Sequence, residues 1–320
     1  MPFPGAGRVC YHEKTKTMTV SAKFDVIGLG YSAVDYLGTV PHLPALDSKL
    51  EMIDFSRQGG GPAATATVAA ARLGAKSAFV GHIGSDDLGD FMVRDFAKED
   101  VDTSHVVRRE GASSQFSFIM VDRKTGKRTI VWTRSEIPPL DPACLDKDFL
   151  TSCKVLHLDR HEIAAGIQAA RWVREAGGIV SMDAGTYVPD IDDLLPHVDV
   201  LIGSYRFARD ATGEPNPAAC ARLLLKDRRI AGVTCGEGGS YFAAQGEEFH
   251  IPAFKVQVVD TTGAGDVFHG AFAYGLSQGW DAKRCAAFAS AAAALKCTKL
   301  GGRAGIPTRE QAEALMATSA

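Results

Sequence analysis

Short apolar runs alternate along the chain with segments of helical periodicity, and this alternation most limits how the chain can fold. The apolar runs stand at 24–30, 77–84, 154–159, 178–183, 198–203 and 230–236, and helical patterns stand at 61–75, 86–100, 161–177 and 217–227. Strands that are apolar throughout, each followed by a helix, are typical of a parallel sheet with helices on both faces. The sequence therefore predicts an α/β fold with a central, mostly parallel sheet.

Two segments, 34–57 and 113–132, do not follow this rhythm. Their alternation of apolar and polar residues, with a Thr-Gly turn in the second, predicts hairpin strands in a small separate sheet. Because these segments are interleaved between core elements, we interpret the small sheet as a lid on a single domain that spans 23–320. Two adjacent Ala-rich helices are predicted near the C-terminal end, at 264–279 and 281–298.

Composition excludes several classes of function. The 320 residues are 46% hydrophobic with a formal net charge of −3 and no long Lys/Arg run, which argues against nucleic acid as a partner. No apolar run reaches the roughly 18 residues that a membrane helix needs. Residues 1–22 lack the apolar core of a signal peptide, so we expect a disordered extension and a cytoplasmic protein. Seven scattered cysteines without a C-x-x-C pair predict reduced thiols.

The stretch DTTGAGD at 260–266 is the strongest candidate for chemistry. Gly263 and Gly265 permit unusual backbone angles and let a ligand approach the main chain closely. If a helix begins near Ala264, its first N–H groups have no intrahelical partner and face outward with the positive end of the helix dipole. The turn is therefore predicted to hold an oxyanion such as a phosphoryl group.

Asp266 lies in the first turn of the same predicted helix. A carboxylate at this place can accept a proton from an attacking hydroxyl group, so an anion hole and a general base would share one turn. The alternative is an ordinary helix N-terminus with a solvated Asp, because caps are far commoner than active sites.

The wider sequence closely resembles the PfkB/ribokinase family of carbohydrate kinases from about residue 23 onward. DTTGAGD resembles the family's second signature, RQGGGPAATATVAAARLGA (57–75) its first signature, and VIGLGYSAVDYLG (26–38) its opening. The resemblance implies a ribokinase-like fold and ATP-dependent phosphorylation of a sugar, with Asp266 as base and the Gly263–Gly265 amides as anion hole. It also implies that Asp35, Gly60 and Gly61 contact the sugar.

Further family positions carry over, with two departures. VTCGEGGSYF (233–242) matches the turn against the nucleotide, which implies roles for Thr234, Gly236 and Gly239. Thr65 stands where the family usually has Asn facing the substrate. Ser204 and Phe207 stand where many members have Asn and Glu that order Mg²⁺, although the chemistry still predicts Mg²⁺ with ATP. A monovalent cation, K⁺, is implied near Asp260, Thr262 and Gly301.

Basic residues bear on the choice of substrate. Lys49, Arg134 and Arg160 are candidates for binding a charged headgroup, and Arg160 follows a core strand, where such folds place ligands. Lys49 and Arg160 fall where the sulfofructose kinase-like subgroup has sulfonate-binding residues, although that subgroup's Asn before the SSQ block has no match here. The alternative for Arg160 is a surface pair with Glu162.

Other interpretations stay open at this point. A nucleoside kinase of the same fold and a catalytically silent sugar-binding protein are the alternatives to a sugar kinase. The G-x-G at 28–30 lacks the third glycine of a dinucleotide fingerprint. His157 and His161 straddle a strand end, so we interpret them as hydrogen-bonded structural residues, whereas His269 lies one turn after Asp266 and could reach the site. The resemblance also implies a homodimer.

Overall fold

The computed structural model describes residues 22–133, 135–244 and 246–318. The predicted extension at 1–22 therefore lies outside these ranges except for its last residue. The strands are β1 Phe24–Leu29, β2 Ala33–Val40, β3 Asp54–Gly60, β4 Ser77–Gly84, β5 Val106–Arg109, β6 Phe116–Asp122, β7 Arg128–Trp132, β8 Cys153–Leu158, β9 Ile179–Ala184, β10 Val200–Ser204, β11 Ile230–Thr234, β12 Ser240–Ala244 and β13 Glu247–Ile251.

Helices alternate with these strands as the sequence pattern predicts. They are α1 Pro62–Arg72, α2 Asp87–Ala97, α3 Lys147–Leu150, α4 Ile163–Glu175, α5 Tyr205–Thr212, α6 Pro217–Leu225, α7 Ala264–Ser277, α8 Ala282–Lys296 and α9 Arg309–Ala317. None of the helices in the described ranges is both long and apolar enough to span a lipid bilayer.

A nine-stranded sheet forms the centre of the molecule, in the order β13-β12-β11-β10-β9-β8-β1-β4-β5. The seven strands from β11 to β5 run parallel to their neighbours, and β12 and β13 add an antiparallel edge. Alternate side chains of one strand enter different cores: Val26 packs with α1, α7 and α8 on one face, and Ile27 packs with α4 and α6 on the other. The predicted α/β class is confirmed.

The topology itself locates a cleft. From β1 the chain first adds β4 and β5 on one side, and then returns to add β8, β9, β10 and β11 on the other. At such a switch point the loops that leave the carboxyl ends of neighbouring strands diverge and leave a crevice between them. The ends of β1 and β8, at Leu29 and Leu158, border this crevice.

A separate four-stranded sheet, here called the lid, has the order β3-β2-β6-β7. It contains the predicted hairpin pairs, since β2 and β3 are antiparallel, as are β6 and β7. Its inner face buries Leu37, Ile119 and Val121. Its outer face leaves large apolar side chains more than half exposed, namely Phe55, Phe118 and Val131, whereas Trp132 lies on the face toward the cleft.

Candidate active site

A cleft of about 480 Å³ lies between the lid and the carboxyl edge of the main sheet. The lid contributes an acidic, a hydroxyl and a basic side chain, and the main sheet and α7 contribute the remaining polar groups. The polar residues that line it are Tyr31, Asp35, Ser117, Arg128, Trp132, Arg160, His161, Asp183, Ser204, Thr234, Thr262, Asp266 and His269, together with the backbone of Gly61, Gly185, Gly263 and Gly265.

The N-terminus of α7 opens directly onto this cleft. Gly263 is the N-cap residue with φ of 72°, and a Cβ at this position would lie 2.7 Å from the Cα of Gly302, so only glycine fits. The N–H of Ala264 donates to the carbonyl oxygen of Thr261 at 3.2 Å. The N–H groups of Gly263 and Gly265 have no acceptor among the residues described. The backbone N–H groups of the two glycines are therefore free to bind an oxyanion, whereas that of Ala264 between them is not.

Asp266 occupies the third helical position of α7, and its half-buried carboxyl group faces the cleft. Burial, followed by the nearby negative charge of Asp183, raises its pKa from 3.8 to about 7, against the lowering effects of His269 and Arg128. A carboxyl group with a pKa near neutrality can accept a proton from an alcohol at physiological pH and release it after turnover.

A buried acid–imidazole pair lies beneath Asp266. Nε2 of His269 is 3.2 Å from Oδ1 of Asp183. Burial is the largest influence on the pKa of Asp183 and raises it, but the interactions with His269, His157 and His161 together hold that pKa below the usual 3.8. Asp183 was missed in the sequence, although an acidic residue at the carboxyl end of a parallel strand is the same signal that identified Arg160.

The two other histidines considered above differ in their surroundings. His157 is fully buried, and burial lowers its pKa to about 3, so its ring is neutral. Neither ring nitrogen has a hydrogen-bond partner in the described residues, so the prediction of a satisfied structural histidine was wrong for His157. His161 stacks on Tyr31 with 4.6 Å between ring centroids. No cluster of three or more metal-binding side chains occurs in the described ranges.

At the lid end of the cleft, Asp35 projects from β2. Its carboxylate accepts a hydrogen bond from Ser117 Oγ at 2.6 Å. Burial raises its pKa, although the bond from Ser117 opposes this rise. Gly60 makes room for it, because a Cβ on Gly60 would lie 2.1 Å from the Asp35 carboxylate. Gly61 is required for a different reason: its φ is 92°, and a Cβ there would lie 2.4 Å from the carbonyl oxygen of Tyr31.

Thr65 is buried in α1 behind this glycine pair and does not line the cleft. Its hydroxyl oxygen accepts from Nε of Arg303 at 3.4 Å, and Arg303 also donates to Asp95 at 2.9 Å and to the carbonyl of Gly60 at 3.3 Å. The buried guanidinium of Arg303 thus fixes the backbone of Gly60 from behind. Sequence reasoning missed Arg303, which stands in GGRAG two residues after Gly301.

The three basic candidates have different outcomes. Arg160 lines the cleft, whereas Lys49 is exposed in the connection between β2 and β3 and does not line it. Arg134 lies outside the described residues. The alternative pairing of Arg160 with Glu162 does not occur, because Glu162 is buried, accepts the N–H of Leu140 and lies 3.2 Å from His82 Nδ1.

The predicted nucleotide residues lie around the ends of β10 and β11. Ser204 caps α5 by accepting the N–H of Phe207, donates to the carbonyl of Gly185 at 2.8 Å, and lines the cleft with Thr234. Gly236 and Gly239, with φ of 57° and 79°, form the tight turn between β11 and β12 and do not line the cleft itself.

The residues predicted to hold a monovalent cation do come together, but they bond to one another. The Asp260 carboxylate accepts from the Thr262 N–H at 2.9 Å, the Thr262 hydroxyl at 2.8 Å and the Gly301 N–H at 2.7 Å. The carbonyl oxygen of Asp260 accepts from the ammonium of Lys296 at 2.8 Å. The K⁺ site stays a prediction.

Arg128 is a further cleft residue that the sequence reasoning missed. It projects from β7 of the lid, and its Nη1 donates to Thr261 Oγ1 at 2.8 Å, directly before the anion-hole turn. Its positive charge also lowers the pKa of Asp266. No local signal in the hairpin KTGKRTIVW distinguishes this Arg from its exposed basic neighbours.

A carboxyl group beside free helix N–H groups, at the carboxyl edge of a parallel α/β sheet, is typical of enzymes that transfer a phosphoryl group. Comparison with known families makes this class specific. A family model described as pfkB family carbohydrate kinase matches residues 23–309. The chain belongs to this family and is a carbohydrate kinase, which confirms the resemblance found in the sequence.

Individual relatives agree with this assignment. Ribokinase of Haemophilus influenzae is 30% identical over 307 residues, which cover 92% of this chain and 97% of the relative. A 5-dehydro-2-deoxygluconokinase of Clostridium perfringens is 27% identical and covers 90% of this chain and 91% of its own. The solved structure of ribokinase from Thermotoga maritima has a TM-score of 0.79 at 28% identity and covers 92% and 99% of the two chains.

Proposed function

We propose that the protein transfers the γ-phosphoryl group of ATP to a hydroxyl group of a sugar bound under the lid. The observation that carries this proposal is the joint placement of Asp266 and the free amides of Gly263 and Gly265 on one turn that faces one cleft. A base and an anion hole in the same turn can act on the two atoms that react with each other.

In the proposed reaction, the Asp266 carboxylate accepts the proton of the sugar hydroxyl as its oxygen attacks the γ-phosphorus. The bond between that phosphorus and the β–γ bridging oxygen breaks, and its electron pair leaves with ADP. The N–H groups of Gly263 and Gly265 donate to the phosphoryl oxygens while negative charge collects there. Asp35 orients the sugar by accepting hydrogen bonds from its other hydroxyl groups.

ATP would lie along the ends of β10 and β11, close to Ser204 and Thr234 and beside the turn that contains Gly236 and Gly239. Mg²⁺ bound with ATP would offset the charge on its phosphate oxygens. The carboxylate oxygens of Asp183 in the cleft are of the kind that Mg²⁺ prefers, whereas Phe207 offers it no ligand. We leave the predicted K⁺ out of the proposal, because the groups predicted to hold it already bond to protein.

For the substrate class we propose an anionic sugar, and a ketose with a sulfonate or carboxylate headgroup is the sharpest form of this proposal. Arg160 supports it, since its side chain lines the cleft and has no hydrogen-bond or ion-pair partner among the described residues. A guanidinium group offers several donors in fixed geometry to such an oxyanion. Phosphorylation of the 1-hydroxyl of a sulfofructose is one specific case, implied by the subgroup resemblance.

An ADP-release screen with neutral ketoses, ribose, adenosine, sugar acids and sulfofructose tests the proposed function. We expect turnover with sugars and a loss of about 10²–10⁴-fold in Asp266→Asn. Asp87→Asn is the matched control, because Asp87 also lies in a first helical turn but is exposed and does not line the cleft. Adenosine as the best substrate would favour the nucleoside kinase, and tight sugar binding without turnover would favour the silent protein.

Arg160→Ala tests the substrate class separately. We expect the KM for an anionic sugar to rise about tenfold or more, which corresponds to the loss of one charge-assisted contact, with little change for a neutral ketose. Arg171→Ala, an exposed position in α4, is the control. An equal effect on charged and neutral sugars would rule out a headgroup contact.

We also propose a homodimer that buries the outer face of the lid. Phe55, Phe118 and Val131 are each more than half exposed on one sheet, and large apolar groups in one patch are typical of a protein interface. A second copy of the same sheet is the partner that the family resemblance implies.

A further inference from the structure

A buried lysine lies behind the anion-hole turn, and the proposed reaction does not use it. Lys296 is the last residue of α8, and its relative exposure is 0%. Its ammonium group donates to the carbonyl oxygen of Asp260 at 2.8 Å. Among the described residues, this carbonyl oxygen is the hydrogen-bond acceptor of the Lys296 ammonium group.

The end of α8 and the segment before α7 are joined by further contacts. The N–H groups of Val259 and Asp260 donate to the carbonyl of Cys297, at 2.8 Å and 3.2 Å. The Asp260 side chain in turn ties Thr262 and Gly301 together. The backbone that leads into Gly263 is thus fixed from the side that faces away from the cleft.

This fixing matters because Gly263 has no side-chain cap of its own. As the N-cap residue of α7 it lies in a left-handed conformation with no side-chain hydrogen bond to the helix. The direction of the Gly263 and Gly265 N–H groups therefore depends on the backbone just before them. Asp260, whose carbonyl the ammonium binds, stands three residues before Gly263.

The cost of burial indicates that the charge is needed. Taking an ammonium group out of water costs several kcal/mol unless it is paired, whereas Met would fill similar space without this cost. Burial lowers the pKa of Lys296, while the carboxylates of Asp260 and Asp266 raise it. A positive charge at this place also attracts the negative charge that phosphoryl transfer brings to the turn.

We propose that Lys296 is the built-in cation of the anion-hole turn. Its ammonium group fixes the Asp260 carbonyl, directs the Gly263 and Gly265 amides into the cleft, and takes the place of a free monovalent cation at Asp260, Thr262 and Gly301. Lys296 is a positioning residue, since it acts through the turn and not on the substrate. The inference rests on the proposed kinase function.

Cation dependence of the wild-type enzyme is the first test. ADP release is measured with the best sugar in tetramethylammonium chloride, whose cation is too large for such a site, and then with KCl or NH₄Cl at the same ionic strength. We expect rates that agree within about twofold, because matched ionic strength leaves long-range screening unchanged. An increase of about tenfold or more on adding K⁺ would overturn the proposal.

The second test uses Lys296→Met, with Lys283→Met in the exposed part of α8 as the matched control. We expect kcat to fall about 10²-fold in Lys296→Met with a much smaller change in the sugar KM, as for loss of a transition-state contact. We expect K⁺ or NH₄⁺ to restore part of this rate and to raise the melting temperature of this variant but not of the wild type.

The outcomes separate the two proposals. A wild-type kcat in Lys296→Met, or a loss that neither cation restores in rate or melting temperature, contradicts the role of Lys296 as a resident cation. Failure of the wild type to release ADP with any sugar contradicts the proposed function instead. The melting-temperature comparison still tests Lys296 in that case, because it requires no turnover.

Discussion

Replacing Asp266 by Asn is expected to abolish most activity and at the same time to stabilise the fold. The amide keeps the shape of the side chain but cannot accept the sugar proton, so kcat should fall about 10²–10⁴-fold. The stabilisation follows from the raised pKa, because a half-buried group that resists ionisation weakens the folded state once the pH favours its charged form.

The magnitude can be worked from the two pKa values of this carboxyl group. Below pH 3.8 it is protonated in both states and costs nothing; between 3.8 and about 7 only the unfolded chain releases the proton, so stability is lost as the pH rises, and above 7 the loss is complete. The full difference corresponds to about 4 kcal/mol. Because cleft water reaches the side chain, we expect about half of it, ~2 kcal/mol.

The assay is thermal unfolding of wild type and Asp266→Asn at pH 5 and pH 8, with Asp87→Asn as control. For a chain of this size ~2 kcal/mol corresponds to about 3 °C, and the variant should gain more at pH 8 than at pH 5. The wild-type kcat/KM should rise with pH and be half-maximal near pH 7, where the base loses its proton. A variant no more stable than the wild type at pH 8, or one with normal turnover, would refute the reasoning.

Three further predictions concern the surroundings of the base, the sugar end and the lid. Asp183→Asn removes a negative charge that raises the pKa of Asp266, so the midpoint of the kcat/KM profile should move about one pH unit lower. Gly60→Ala places a Cβ 2.1 Å from the Asp35 carboxylate, so the sugar KM should rise about tenfold or more in steady-state assays. Val131→Asp puts a charge on the outer lid face and should convert a dimer into a monomer in light scattering.

The Gly60 and Val131 predictions have matched controls, and the Asp183 prediction has a contrary result of its own. Gly166→Ala in α4 adds a Cβ 3.5 Å from Leu194, an ordinary contact, and should leave the sugar KM unchanged. Leu223→Asp changes another exposed apolar residue, which lies in α6 and not in the lid, and should not alter the assembly. An unshifted pH profile in Asp183→Asn would mean that the two carboxylates do not interact.

The main sheet could be predicted because its central strands are buried on both faces. The run predicted at 77–84 is β4, and all eight of its residues are buried. The edge strands show no continuous apolar run, because β5 reads VVRR and β13 reads EEFHI, and several side chains of each strand are at least partly exposed to solvent. A strand with one exposed side needs fewer apolar residues, so its sequence is hard to distinguish from that of a loop.

The residues of the candidate site also differ in whether the sequence could predict their positions. Residues at the ends of predicted elements, such as Arg160 after β8 and Asp266 at the start of α7, could be placed in a cleft, because topology alone brings these ends together. Arg303 could not be placed. It reaches Asp95, 208 positions earlier in the chain, and a pair so distant leaves no periodicity in either segment.

The turn at 260–266 is held in place by contacts from three other parts of the chain, and the local sequence of the turn does not reveal them. Arg128 holds Thr261 from the lid, Lys296 holds Asp260 from α8, and the backbone of Gly302 packs against Gly263. Only the first of these contacts comes from the lid. In the proposed reaction, a movement of the lid would act on the anion hole through Arg128, while Lys296 and Gly302 would keep the rest of the turn in place. The hydroxyl group of Thr261 would then link sugar binding to phosphoryl binding.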